Sequence, residues 1–178
     1  MASKSVLSPE GMKTEVKPNI GVEDESRKAL VELLNVCLCD ETVLYIKTKN
    51  YHWNVVGPRF SQLHKFLEEQ YEELDEIVNR VAERARQLGG KALGTMEEYQ
   101  RHTDLTEEPG RYPDPQTMLS NLLKDHEKII QNLRDDADQA EEKYHDMATN
   151  NFFLEAVEKH EKMAWMIRAH LDGGRNST

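Results

Sequence analysis

Between Phe60 and Leu88, apolar residues recur every three or four positions, and this spacing restricts the fold more than any other feature of the chain. Such a period places all of them on one face of an α-helix. Gly89 and Gly90 follow directly and are typical of a helix end. The sequence therefore predicts a long amphipathic helix from Phe60 to Leu88. The stripe consists of Phe60, Leu63, Leu67, Tyr71, Leu74, Val78, Val81, Ala85 and Leu88.

Three further segments have the same helical period. The first is predicted to begin at Ser26, a suitable N-cap, and to run to His52, before the stop at Gly57 and Pro58. A later stripe extends from Met118 to Met147, with Pro115 in the first turn of its helix. The last helix is expected from about residue 151 to residue 171, and no segment has the pattern of a strand.

The segment between Lys91 and Pro115 lacks this period, apart from a short helical candidate at residues 95–102. Four long amphipathic helices with one long connection between the second and third are typical of ferritin-like bundles. We therefore predict an all-α, ferritin-like four-helix bundle with a short helix in that crossover. A coiled-coil rod is the alternative, but the prolines of the crossover and the glycines at the helix ends favour the bundle.

The bundle is expected to occupy residues 26–172. Residues 1–25 mix charges, Ser, Pro and Gly without a period, which predicts a flexible N-terminal arm. Its lysines, Lys4, Lys13 and Lys17, are accompanied by five acidic residues. Residues 173–178 are predicted to form a short polar tail.

The charge balance is acidic, with a formal net charge of -10. This balance argues against a protein whose whole surface binds nucleic acid, because phosphate contacts require an excess of Lys and Arg. No apolar block is long enough to span a membrane, and no apolar region follows Lys4 as in a secretory signal, so a cytoplasmic location is expected. Cys37 and Cys39 are about 200° apart around the predicted helix, so both are expected to be packing residues.

The second helix also has a polar sector beside its apolar stripe. His64, Glu68, Glu72, Asp75, Asn79 and Glu83 fall within it. Imidazole and carboxylate ligands suit ferrous iron, manganese or zinc. Glu68 and Glu83 are about 22 Å apart along the helix, too far for one iron centre. Either Glu83 meets the other residues from a second copy of the chain, or the two groups serve different purposes.

Histidines outside the second helix also bear on whether the chain has a metal site. His52 and Trp53, at the end of the neighbouring helix, favour a metal site over an ordinary solvated acidic face. His126 and His160 lie on apolar stripes, where a hydrogen-bonded core histidine is the usual explanation. His160 is nevertheless retained as a candidate ligand.

The chain contains the motifs Tyr51-His52-Trp53-Asn54 with Gly57, Phe60 and Leu63-His64, then Ala82-Glu83-Arg84 and Gln87-Leu88-Gly89-Gly90. In these motifs the chain resembles the Dps family, the mini-ferritins known as DNA-binding proteins from starved cells. The resemblance covers about residues 20–172 and extends more weakly to Trp165.

The resemblance implies a homododecameric shell that oxidises ferrous iron with hydrogen peroxide or oxygen, stores the ferric product and protects the cell against oxidative damage. Its ferroxidase site would lie at a two-fold interface, with His52, His64 and Glu68 from one subunit and Glu83 from the other. Trp53 would lie beside the iron as an electron donor. Glu69 and Glu72 would be candidates for mineral nucleation.

Asn79 departs from the family pattern, which usually has an Asp ligand there. A neutral amide lacks the charge that holds a second metal. Either that position is weak, or His160 or Asp75 contributes, and zinc becomes a candidate competitor or occupant. DNA binding is expected to be weak or absent, because the arm is not basic overall. The alternatives are a DNA-compacting architectural protein with weak redox activity and a purely structural helical oligomer.

Overall fold

In the computed structural model, residues 17–172 are described, and they form five α-helices and no strand. This confirms the predicted all-α class and the short helix in the crossover. A π-helical turn, Gln139–Lys143, directly continues the fourth helix. The helices are α1 (Asp24–Asn54), α2 (Phe60–Gln87), α3 (Met96–His102), α4 (Pro115–Asp138) and α5 (Met147–Asp172).

The four long helices pack as two antiparallel hairpins. In the α1/α2 hairpin, Arg27 Nη1 donates to Leu88 O at 2.9 Å at one end, and His52 contacts His64 at the other. In the α4/α5 hairpin, Asn150 Nδ2 donates to Ala137 O at 3.0 Å. The apolar stripes of α1, α2, α4 and α5 meet in one buried core. The result is a four-helix bundle and not an extended rod.

Buried polar side chains of α1 form hydrogen bonds with the crossover. Asp40 accepts hydrogen bonds of 2.7 Å from Thr103 Oγ1 and from the backbone N–H of Asp104. Lys47 Nζ donates to Thr106 O at 2.7 Å and pairs with Asp125 of α4 at 2.6 Å. These contacts fix α1 against both the crossover and α4, although the crossover itself has little regular structure.

Two predicted helix boundaries were wrong. Helix α1 begins at Asp24 instead of following an N-cap at Ser26, because Asp24 and Glu25 in its first turn are favoured by the helix dipole. Asp24 and Glu25, predicted to belong to the arm, are therefore part of α1. Residues 1–16 of the predicted arm and residues 173–178 of the predicted tail lie outside the described part of the chain.

The second error concerns the junction between α4 and α5. The predicted third stripe ran through Tyr144 to Met147, whereas the chain leaves helical geometry after the π-helical turn and His145 has a φ of 55°. Buried Asp146 then accepts hydrogen bonds from the backbone of Ala148 and from Thr149 Oγ1, so α5 begins at Met147. Periodicity missed this break because apolar residues continue across it.

Cys37 and Cys39 are buried and free, as predicted for packing residues. Burial, followed by the neighbouring carboxylates, raises the pKa of the Cys39 thiol to about 12. Within residues 17–172, no helix is long and apolar enough to cross a membrane.

Candidate metal centre

His52 near the end of α1 and His64 in α2 form a reciprocal pair across the interhelical turn. The Nδ1–H of His52 donates to His64 O at 2.8 Å, and the Nδ1–H of His64 donates to His52 O at 2.9 Å. A carbonyl can only accept, so each neutral ring carries its proton on Nδ1 and has its lone pair on Nε2. The two rings stack with centroids 3.8 Å apart. Both imidazoles are therefore held in the tautomer that binds metals.

Aromatic rings flank this pair on two sides. Phe60 stacks on His64 with centroids 5.1 Å apart, and the rings of Tyr71 and His52 form a T-shaped pair with centroids 5.2 Å apart. His52 is only 7% exposed, whereas His64 is partly exposed. The surroundings thus fix the orientation of both rings while leaving the pair reachable from one side.

Glu68 follows His64 by one turn of α2 and lies on the same side of the helix. It is half-buried, and the Tyr71 hydroxyl lies 3.5 Å from its Oε1. Desolvation, then the charges of Glu68 and Glu72, raises the pKa of Tyr71, while Lys49 opposes the shift. The carboxylate of Glu68 thus lies one turn from His64 and within reach of the Tyr71 hydroxyl, whose ring packs on His52.

Glu83 lies farther along α2, where Asn79 Nδ2 donates a hydrogen bond of 3.1 Å to its Oε1. Both side chains are exposed. About 22 Å of helix separates Glu68 from Glu83, so one copy does not bring them together. Within residues 17–172 of one chain, no group of three His, Cys, Asp or Glu residues is arranged to hold a metal ion.

Exposed apolar side chains occur at the same end of the hairpin as the histidine pair. Trp53 is 66% exposed, and Val56 and Phe60 are exposed beside it at the same end of the hairpin. A cluster of large apolar residues on a protein surface marks an interaction face. Glu69, Glu72 and Asp75 are exposed on α2 as well.

His160 lies in the core of the bundle. Its Nε2 is 2.8 Å from Glu41 Oε1, and its Nδ1 is 2.9 Å from His126 Nδ1, with all three side chains fully buried. Burial, and then the charge of His160, lowers the pKa of His126 well below its usual value. The interpretation of His126 and His160 as hydrogen-bonded core histidines is confirmed. Binding a metal beside His52 would require His160 to break both contacts.

Sequence reasoning missed Glu41, although a signal was present. On α1 the apolar positions continue from Cys37 and Leu38 to Leu44, and Glu41 occupies the step between them. An acid on a buried stripe needs a partner, because a buried carboxylate without one is costly. A search for partners would have pointed to the two core histidines.

Comparison with known proteins gives the family. A ferritin-like domain model matches residues 31–176. An uncharacterized low temperature-induced protein of Nostoc sp. is 44% identical over 155 residues, which is 87% of each chain. DNA protection during starvation protein 2 of Bacillus anthracis is 34% identical over 145 residues, covering 82% of this chain and 98% of the relative.

Solved structures agree with these relatives. DpsC from Streptomyces coelicolor superposes with a TM-score of 0.84 at 32% identity, covering 88% of this chain and 91% of that one. Dps from Vibrio cholerae, described as a member of a broad superfamily of ferritin-like diiron-carboxylate proteins, gives a TM-score of 0.82 at 26% identity, with coverages of 90% and 99%. With its helical bundle, matched family model and relatives, the chain belongs to the Dps family of ferritin-like proteins.

Proposed function

We propose that this protein is an iron-storing mini-ferritin that oxidises ferrous iron at a site formed between two copies of the chain. Membership of the Dps family supports the iron-binding role. The observation that carries the proposal is the reciprocal hydrogen bonding of His52 and His64, which leaves an Nε2 lone pair on each ring. Rings fixed in this tautomer are oriented in advance for a metal ion.

In this proposal, His52, His64 and Glu68 of one copy bind ferrous iron together with Glu83 of a second copy. Two observations support the shared arrangement. Glu83 is about 22 Å from Glu68 within one chain, and the exposed apolar face around Trp53 requires a cover. A two-fold contact would supply both the cover and the missing carboxylate, and it would be one interface of the proposed homododecamer.

The chemistry is a transfer of electrons from iron to an oxidant. Two ferrous ions give two electrons to hydrogen peroxide, and the carboxylates stabilise the ferric product because hard oxygen ligands prefer the higher charge. The imidazoles hold the incoming ferrous ion. Glu69 and Glu72, exposed on α2, are proposed as nucleation points for the mineral. Oxygen is the alternative oxidant in this proposal.

Asn79 limits the number of metal ions that this site can hold tightly. Its Nδ2 donates to Glu83, so the amide orients that carboxylate but adds no negative charge. We therefore propose one tight metal position, formed around the histidines, and one weak position. Zinc, which accepts imidazole and carboxylate ligands, would compete at the tight position.

The test is ferrous oxidation by the purified assembly under anaerobic conditions, with peroxide and then oxygen added. We expect rapid oxidation with peroxide and retention of the ferric product by the protein. Oxidation no faster than in buffer would refute the proposal.

The alternative, a DNA-compacting protein with weak redox activity, has less support because the net charge is -10. Firm DNA retention at physiological salt together with slow oxidation would favour that alternative.

A further inference from the structure

A continuous series of aromatic rings leads away from the histidine pair, between α1 and α2. Tyr71 contacts His52 edge-on at 5.2 Å, and Tyr45 contacts Tyr71 edge-on at 6.2 Å. Lys49 Nζ lies 5.0 Å from the centroid of each tyrosine ring and donates to the Tyr45 hydroxyl at 2.7 Å. His52, a proposed metal ligand, is thus in direct contact with an oxidisable side chain.

The proposed function creates a need for such a side chain. Reduction of hydrogen peroxide to water takes two electrons, whereas one ferrous ion provides one. At a site with one tight and one weak metal position, peroxide will often meet a single ferrous ion. Unless the protein supplies the second electron, the product is a hydroxyl radical.

We propose that Tyr71 supplies this second electron when the site holds a single ferrous ion. The inference rests on the proposed function and deepens it. The ferrous ion becomes ferric, and the Tyr71 phenol loses one electron and one proton to become a neutral phenoxyl radical. The O–O bond of peroxide breaks, and its two oxygens leave as two waters after taking up both electrons, the phenol proton and one proton from solvent.

The surroundings of Tyr71 favour this coupled loss of electron and proton. The Tyr71 hydroxyl is 3.5 Å from Glu68 Oε1, so a carboxylate next to the iron position is available to receive the proton. The ammonium group of Lys49 lies against the tyrosine ring and opposes a positively charged ring. The electron therefore leaves together with the proton, and the product is the neutral radical.

Trp53 is less suited to this role within one copy. It is mostly exposed, and in the described part of the chain it makes no ring contact with His52 or His64. Within residues 17–172, Tyr45 likewise makes no ring contact with His52 and is linked to it through Tyr71. Tyr45 therefore provides a matched control, with the same side chain one step farther from the histidines.

The experiment uses the assembled protein without metal, loaded anaerobically with one ferrous ion per site and mixed with an equal amount of peroxide. Freeze-quenched electron paramagnetic resonance is expected to show a tyrosyl signal in the natural protein and in Tyr45→Phe. In Tyr71→Phe the signal is lost, and hydroxyl-radical spin adducts rise several-fold. Ring-deuterated tyrosine identifies the radical by narrowing the signal.

Ferrous binding by Tyr71→Phe is titrated in parallel, and the radical yields are compared at full loading of the tight position, because Phe keeps the ring packing on His52 but lacks the hydroxyl beside Glu68. An unchanged radical signal in Tyr71→Phe would overturn the inference, as would unchanged spin adducts. Those results would leave the proposed function intact if ferrous iron is still oxidised rapidly. Absence of peroxide-driven oxidation in the natural protein would overturn both.

Discussion

The amide of Asn79 donates a hydrogen bond of 3.1 Å to the carboxylate of Glu83, one turn farther along α2. A carboxylate at position 79 would instead repel Glu83, and a bound cation would be needed to hold the two together. The present pair is stable without a metal. Exchanging the amide at position 79 for a carboxylate therefore tests how the site binds metal.

Replacing Asn79 with Asp should create a second tight metal position. We expect the affinity for the second ferrous ion to rise at least about tenfold, equivalent to about 1.4 kcal/mol. Anaerobic calorimetric titration of the assembly with ferrous iron measures this. Asn79→Ala is the control, because it removes the hydrogen bond without adding charge. Two equally tight ions per site in the natural protein would contradict the prediction.

Replacing His52 and His64 together with Ala should abolish fast ferrous oxidation. The loss should exceed the roughly 10–100-fold that removal of an outer partner of a metal ligand causes. Stopped-flow absorbance after peroxide addition measures the rate. The exposed His102 provides a control variant, His102→Ala, which should react normally. The helical circular dichroism signal should persist, because the apolar stripes do not involve these rings; its loss would mean that the pair is mainly structural.

His126 should make the protein less stable in mild acid. Its folded-state pKa is lowered by burial, while in the unfolded chain it has the ordinary value near 6.5. The unfolded state therefore binds a proton below that pH and the folded state does not. The contribution of neutral His126 to the free energy of unfolding is therefore complete above about pH 6.5. It is lost as pH falls, and the free energy of unfolding then decreases by up to about 1.4 kcal/mol per pH unit.

Thermal unfolding between pH 7.5 and pH 5 tests this effect. In His126→Gln, the fall in melting temperature over this interval should be smaller than in the natural protein. His102→Gln should keep the full dependence, since His102 is exposed. Equal pH profiles for all three proteins would show that His126 does not govern acid stability.

Asp136 should make the protein less stable as pH rises, which is the opposite of the effect of His126. Burial, followed by the charges of Asp135, Asp40 and Asp104, raises its pKa to about 7. The folded protein then holds a proton that the unfolded chain has lost, so this contribution to stability decreases as pH rises from about 4 to about 7. We expect Asp136→Asn to raise the melting temperature at pH 8 and to have little effect near pH 4. The exposed Asp138 serves as the control site, and a shift that is equal at both pH values would argue against this assignment.

The agreement between sequence and structure differs from element to element. The limits of α2 followed from its apolar stripe and the two glycines, because helix burial and helix termination both leave local signals. The junction before α5 left no such signal, since the π-helical turn keeps apolar residues facing the core. The residue types indicated that His52 and His64 belong together. Their mutual hydrogen bonds, however, are made to backbone carbonyls near the helix ends, and no sequence pattern predicts such bonds. How Glu83 relates to the histidines in an assembly stays a prediction.

The reciprocal bonds of His52 and His64 also have an entropic consequence. A free histidine samples several rotamers and loses that freedom when it binds a metal. Here folding of the hairpin has already removed most of the freedom of both rings, so capture of an ion requires little further ordering. Metal binding should therefore be fast and leave the α1/α2 hairpin almost unchanged in shape.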